Sequence, residues 1–152
     1  MLKVLRFLNL LLVVLVFGLT WAHVMEIYGK LRLNGAQWLD VQHNLYVAFG
    51  WPVGACIEIA AIVSTWGLVF ATRRRRPAFA WAVAAGVCVT LGLAVWFWLV
   101  APMNGVIAGA RTPPADWTAI RNQWEIGQAV HCVLYGLGFG FLLEGLLAET
   151  PR

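Results

Sequence analysis

The sequence predicts an all-α integral membrane protein: a four-helix bundle that forms a single domain over residues 1–152. Of its 152 residues, 61% are hydrophobic and only 12% are charged, whereas soluble domains carry roughly 25% charged residues. Four stretches have the roughly 20 mostly apolar residues that are needed to cross a bilayer. The basic residues also cluster at one end of these stretches, which is typical of membrane topology.

The predicted spans cover residues 4–27, 52–71, 78–101 and 122–147. Pro52 suits the first turn of the second span, where its missing N–H is tolerated. Pro102 is expected to end the third span, because proline interrupts a helix interior. Asp116 is a plausible N-cap for a fourth helix that begins above the membrane. We see no internal repeat.

The segment between the first two spans is polar and contains an apolar pattern at helical spacing. Trp38, Val41, Leu45 and Phe49 fall on one face, which predicts an extracytoplasmic amphipathic helix on the outer leaflet. His43 belongs to this segment. It is either a solvated interfacial residue or a ligand that folds down over a site in the membrane.

The distribution of basic residues predicts the topology. One side of a four-span arrangement holds Lys3, Arg6, the run at residues 73–76 and Arg152, and the other side holds fewer cations. The positive-inside rule therefore places both termini in the cytoplasm. The arginine run acts as a topology anchor, and short loops of this kind offer no groove for a nucleic acid. The bilayer is the expected partner.

Ionisable side chains inside the spans indicate a functional site, because burying a charge in a membrane is costly. His23 and Glu26 share a face near the outer end of the first span. At about 1.5 Å of rise per residue, Glu58 and His131 each lie about 9 Å below the outer boundary. Glu125 falls near that boundary, so three helices bring these groups to a similar depth.

The fourth span carries a polar stripe where lipid would require apolar residues. Trp124, Gln128, His131 and Tyr135 lie on one face, with Arg121 on its flank. We expect this stripe to face the interior of the bundle. Together with Asn104, these residues are predicted to contact a bound cofactor.

Several chemistries fit this set of residues. His23, Glu26, Glu58 and His131 resemble the inward-facing ligands of metal-binding helical bundles, which predicts an iron, copper or zinc site. Haem b, with His23 and His131 as axial ligands, is an alternative. A cofactor-free acid/base pocket, with Glu58, Glu125 and His131 as catalytic groups, and a purely structural role also stay open. The three cysteines lie in different spans without a CxxC pair, which disfavours a thiol–quinone oxidoreductase.

Short motifs across the chain point to a known family. They comprise Asn104 at the end of the third span, Pro114-Ala-Asp-Trp117, the run Arg121-Asn-Gln-Trp124-Glu125, "HVMEIYGKLRL" and "GACIE". The chain thereby resembles the anthrone-oxygenase-like integral membrane proteins. The resemblance implies a four-helix membrane bundle and the oxygenation of anthrones to anthraquinones. One departure is that Gln128 and His131 occupy positions where the family pattern has a histidine and an arginine.

We therefore expect a redox enzyme of the bacterial inner membrane that acts on a lipophilic aromatic or quinone-like molecule. Its metal site would open towards the outer leaflet, with Glu125 as a fifth ligand or a proton carrier. The alternative is a non-catalytic metal- or haem-binding subunit, or an assembly factor of a larger complex. Self-association into a homo-oligomer stays open.

Overall fold

The computed structural model describes residues 1–47 and 49–149, which contain helices and no strand. The α-helices are α1 (Leu2–Lys30), α2 (Gly35–Asn44), α3 (Val53–Thr72), α4 (Ala78–Val95), α5 (Ala101–Gly109) and α6 (Trp117–Leu147). A five-residue π-helical segment, Trp96–Val100, joins α4 to α5. Four stretches are long and apolar enough to cross a membrane: α1, α3, the continuous run from α4 to α5, and α6. The all-α class and the four spans are thus confirmed.

The four long helices form a ring in which each one packs against two neighbours. Helix α6 packs against α1 and α4, and α3 packs against the same two helices. Helices α3 and α6 therefore lie on a diagonal of the bundle and meet only through their side chains. This arrangement matters for the site, because a contact between α3 and α6 crosses the centre of the bundle.

Small and branched side chains fill the core along these packing faces. The buried cluster includes Val13, Ala61, Ala85 and Val89, and Tyr135 from α6 reaches into it. Small residues let membrane helices approach closely, which matters where apolar burial gives no advantage over lipid. The core also contains a polar contact, since Asn9 donates hydrogen bonds to Thr65 Oγ1 at 2.7 Å and to Ser64 Oγ at 2.9 Å.

The prediction that Pro102 ends the third span is wrong. The helix passes through the π-helical segment and continues as α5 to Gly109, with Pro102 in the first turn of α5. The Ala101 N–H donates to the carbonyl of Trp96, five residues earlier. A wide turn of this kind relieves the clash between a proline ring and the preceding turn, and it provides a helix start where the missing N–H is tolerated. The span is therefore longer than predicted.

Helix α2 exists, but its buried face differs from the predicted apolar stripe. The Asn34 side chain accepts a hydrogen bond from the Gln37 N–H, and the Asn34 N–H donates one to Oε1 of the Gln37 side chain. Trp38 is buried as expected, whereas Leu45 lies beyond the end of the helix and is exposed. Leu39 is buried in its place. Contacts with the outer ends of the bundle select this face, because Trp38 and Leu39 belong to one cluster with side chains of α5, α6 and the π-helical segment.

The first turns of α1 meet the end of α6 at one end of the bundle, which we call the termini end. Arg6 in the first turns of α1 donates a hydrogen bond to Glu149, just after α6. Helix α6 begins at Trp117, directly after the predicted N-cap, and ends at Leu147, the predicted end of the fourth span. Asp116 occupies its N-cap position, but the Asp116 side chain makes no capping hydrogen bond.

Candidate functional site

The centre of the bundle holds a buried contact between a carboxyl group and an imidazole. Glu58 on α3 and His131 on α6 approach across the diagonal, with Oε1 of Glu58 lying 3.1 Å from Nε2 of His131. The Tyr135 hydroxyl donates a hydrogen bond to the same Oε1 at 3.2 Å. All three side chains are buried. We call these three residues the inner group.

A glycine on a neighbouring helix makes room for the inner group. A Cβ atom on Gly92 of α4 would lie 2.8 Å from Cε2 of Tyr135 and 3.1 Å from Cδ2 of His131. The first distance is shorter than carbon atoms tolerate, so any larger residue would displace the tyrosine or the histidine. Gly92 therefore sets the position of both rings.

A second buried cluster lies closer to the end of the bundle opposite the termini end, near the last turns of α1 and the first turns of α6. Nζ of Lys30 is 3.0 Å from Oε1 of Glu125 and 3.8 Å from Oε2 of Glu26. Nδ1 of His23 is 3.9 Å from that same Glu26 atom. Lys30, Glu125 and His23 are buried, whereas the Glu26 side chain is 44% exposed. We call these four residues the outer group.

Aromatic rings enclose the outer group. The His23 ring is in contact with the rings of Tyr46, Phe49 and Trp124, at centroid distances of 4.6, 5.1 and 4.9 Å. The Lys30 ammonium lies 4.8 Å from the centroid of the Trp124 ring, a cation–π distance. These rings exclude water, which strengthens the attraction between Lys30 and Glu125.

Tyr46 closes the outer group from the segment that follows α2. Its hydroxyl donates a hydrogen bond to Oε2 of Glu26. Burial raises the pKa of Tyr46 above its usual range, and the hydrogen bond to Glu26 raises this pKa further. The hydroxyl therefore stays protonated and holds the α2–α3 connection against α1.

Several buried polar atoms of both groups make no hydrogen bond among the described residues. They are Nδ1 of His23, Nζ of Lys30, both carboxyl oxygens of Glu125, and both ring nitrogens of His131. Nζ of Lys30 and Nε2 of His131 nevertheless lie at ion-pair distance from a carboxylate oxygen, 3.0 and 3.1 Å away. Buried polar atoms normally have partners. Such a concentration of unmatched donors and acceptors is typical of a ligand-binding or catalytic site.

The remaining predicted residues lie around these groups. The polar stripe of α6 is buried as predicted, including Gln128, one turn before His131. Asn104 accepts a hydrogen bond from Nε1 of Trp124 at 2.8 Å, so it positions that ring. Arg121 is buried but contacts Asn122 and the Trp117 ring. His43 lies away from both groups, where its Nε2 is 2.9 Å from the Ile107 carbonyl oxygen.

Sequence reasoning missed three residues that shape the site. Lys30 is not one of them, because the purely structural alternative has Lys30, Glu26, Glu125 and Arg121 as interfacial ion pairs, and the structure brings the first three together. The sequence did not indicate that Tyr46, Phe49 and Gly92 belong to the site. Tyr46 and Phe49, in the segment before α3, contact His23 of α1, and Gly92 of α4 faces two rings of α6. These contacts depend on how the helices pack.

The four predicted metal ligands do not form one coordination sphere. In the described residues, no group of three or more His, Cys, Asp or Glu side chains is arranged to hold a metal ion. The 3.1 Å between Glu58 Oε1 and His131 Nε2 suits two adjacent ligands of one ion, since metal–ligand bonds are roughly 2.0–2.2 Å long. A third protein ligand is missing from that pair, so the metal site stays a prediction.

Haem ligation also stays a prediction. An iron atom bonded to Nε2 of His131 would displace the Glu58 carboxyl group from its present contact. On the other side, three aromatic rings already pack around His23. The present packing therefore suits proton exchange between side chains better than it suits a macrocycle.

Comparison of the chain with profiles of known protein families, with curated proteins and with solved structures finds no match. The resemblance to anthrone-oxygenase-like proteins accordingly rests on the short motifs alone. What the fold and the buried groups define is a class: helical proteins of the membrane with acid/base side chains inside the bundle.

Proposed function

We propose that this protein is a membrane-embedded oxidoreductase of the oxygenase type that acts on a lipophilic aromatic or quinone-like molecule. The observation that carries the proposal is the buried contact between Glu58 and His131 at the centre of the bundle. An acid/base pair in an apolar interior is expensive to maintain, so it favours a chemical role over a structural one. The aromatic rings near the outer group suit a flat, apolar substrate.

In this proposal His131 is the general base and Glu58 orients it. If Nε2 of His131 carries the proton that faces Glu58, the other ring nitrogen, Nδ1, is free to accept one. Nδ1 is buried and makes no hydrogen bond among the described residues. The hydrogen bond from Tyr135 keeps the Glu58 carboxyl group in place.

The proposed step is proton abstraction followed by oxidation. A proton leaves an acidic C–H bond of the substrate and moves to Nδ1 of His131, while the electron pair of that bond stays on the substrate. Dioxygen, the second substrate, then adds to the resulting carbanion to form a C–O bond. The peroxide takes up the proton held by His131, and the hydroperoxide loses water to leave a carbonyl group on the substrate. The base contributes about 10²–10⁴-fold to the rate of such a step.

Turnover of an anthrone, which has an acidic C–H bond, in air by detergent-purified protein tests the proposal. We expect Glu58→Gln and His131→Gln each to lower kcat by at least about 100-fold. Glu144→Gln is the matched control, because Glu144 is an exposed residue of α6 near the termini end, and we expect its activity to equal that of the wild type. Equal activity of all three variants would exclude the acid/base role.

A second candidate is a non-catalytic metal- or haem-binding subunit. Two buried imidazole nitrogens, Nδ1 of His23 and Nδ1 of His131, favour it, because neither has a hydrogen-bond partner among the described residues. Elemental analysis and an absorption spectrum of the purified protein separate the candidates. Stoichiometric metal or a Soret band that is lost in His131→Gln would support the subunit, whereas a metal-free protein with turnover would support the enzyme.

The orientation in the bacterial inner membrane is part of the proposal. The first turns of α1, the residues just after α6 and Arg75 of the arginine run lie at one end of the bundle, and the positive-inside rule assigns that end to the cytoplasm. In a cysteine-free background, we expect Asn44→Cys, but not Arg74→Cys, to react with an impermeant maleimide added to intact spheroplasts. The reverse labelling pattern would place the site at the cytoplasmic face.

A further inference from the structure

A groove of about 740 Å³ opens at the termini end, far from the inner and outer groups. The first turns of α1, the end of α6 and the α3–α4 connection line it. This volume lies within the range of about 300–1,000 Å³ that is typical of ligand sites.

The groove has a positively charged rim. Among the residues that the structure describes, its charged side chains are those of Lys3, Arg6 and Arg75, against one carboxylate, that of Glu149. Arg6 donates a hydrogen bond to Glu149, and Nη1 of Arg75 lies 3.9 Å from the same carboxylate oxygen. Glu149 therefore brings two guanidinium groups together. The Arg75 side chain is 59% exposed and keeps donors available, because a guanidinium has five.

The rest of the groove is apolar. Leu2, Phe7, Leu10 and Leu146 line it, and Phe7 is strongly exposed. These residues belong to stretches that are apolar enough to cross a membrane. In a bilayer, the groove would therefore face lipid along its length while its rim reaches the headgroup layer.

We propose that this groove binds one anionic phospholipid of the surrounding leaflet. The phosphate would lie between Lys3 and Arg75, and an acyl chain would lie along Phe7 and Leu10. Basic pockets between membrane helices at the headgroup level suit anionic lipids. The combination of a cationic rim with an apolar floor matches an amphiphile, whereas a free phosphate ion would use the rim alone. Arg75 of the arginine run would thus bind lipid in addition to helping to orient the chain.

Native mass spectrometry of the delipidated, detergent-purified protein tests this proposal. The probes are dioleoyl phosphatidylglycerol, dioleoyl phosphatidylcholine and inorganic phosphate. At about 1 kcal/mol for each basic residue near a lipid phosphate, the loss of two charges lowers the affinity about 30-fold. We expect the wild type to bind one phosphatidylglycerol in preference to phosphatidylcholine, and we expect inorganic phosphate not to compete with it.

Two double variants separate a specific site from diffuse attraction. Lys3→Gln/Arg75→Gln removes two charges from the groove, and Arg74→Gln/Arg76→Gln removes two charges from the same end without altering its lining. We expect a roughly 30-fold loss of phosphatidylglycerol affinity in the first variant and a loss of less than about 3-fold in the second. Equal losses would overturn the proposal. If the groove variant does not fold, the wild-type measurements decide: the absence of a preference for phosphatidylglycerol, or competition by inorganic phosphate, also overturns it.

Discussion

The contact between Lys30 and Glu125 offers the sharpest test of the outer group. Their charged atoms lie 3.0 Å apart, and both side chains are more than nine-tenths buried. At that separation, two unit charges attract by about 5.5 kcal/mol for an effective dielectric constant of 20. Burying the two charges costs a comparable amount, so the pair as a whole contributes little. Removing a single partner leaves the burial cost of the other charge uncompensated.

We expect Lys30→Met to destabilise the protein by about 3–5 kcal/mol, because Glu125 then keeps two buried oxygens without a nearby lysine. Glu125→Leu should cost less, about 1–3 kcal/mol. In that variant, the Lys30 ammonium retains Glu26 at 3.8 Å and the ring of Trp124. Glu26 is 44% exposed, so solvent screens its attraction for Lys30. Glu26 therefore compensates the buried charge of Lys30 only in part.

The assay is reversible unfolding in mixed micelles, followed by far-UV circular dichroism as the fraction of sodium dodecyl sulfate rises. The double variant Lys30→Met/Glu125→Leu should be no less stable than Lys30→Met alone, because neither charge remains. Lys3→Met, which changes an exposed lysine at the other end of the bundle, serves as the control and should shift the free energy of unfolding by less than about 0.5 kcal/mol.

Two results would contradict this reasoning. If Lys30→Met unfolds within about 1 kcal/mol of the wild type, the pair is not buried as described. If the cost of the double variant equals the sum of the two single costs, Lys30 and Glu125 are not coupled, and the outer group is not an electrostatic unit.

Three further predictions concern other parts of the bundle. Gly92→Ala should lower the free energy of unfolding by about 1–3 kcal/mol through overpacking and should also lower turnover. Gly67→Ala is the control: its Cβ meets nothing within 4 Å, so it should be neutral or slightly stabilising in the same unfolding assay. Because burial and Glu26 raise the pKa of Tyr46, its tyrosinate absorbance, measured as the difference between wild type and Tyr46→Phe, should appear only well above pH 10; an appearance near pH 10 would refute the contact. Since the folded-state pKa is the higher one, this contribution to stability is complete below about pH 10 and is lost as the pH rises further. Asn9→Leu should cost about 0.6–1.7 kcal/mol, the range for interhelical hydrogen bonds in membranes, and an unchanged unfolding midpoint would show that this buried network adds nothing.

Composition and periodicity determined the class of fold and its four spans. Runs of apolar residues are a local property, and their length alone decides whether a helix can cross a bilayer. The helical repeat likewise predicted the buried stripe on α6, because the direction of a side chain follows from its position in one helix. The identity of the ionisable residues marked them as interior groups, and all but Glu26 are indeed buried.

The tertiary structure decided which of these groups meet. His23 was expected to join Glu58 and His131, yet it lies with Glu26 and a set of aromatic rings, while Glu58 pairs with His131 across the bundle. The axial shift and rotation of one helix against another follow from packing. Gly92 contributes because it has no Cβ atom, which leaves room for the rings of Tyr135 and His131. The π-helical segment before Pro102 lets the third span continue to Gly109. This segment depends on the backbone conformation around the proline, which the pattern of apolar residues does not specify. Local sequence thus predicts how deep a side chain lies and which face it occupies, and only the packed bundle selects its partner.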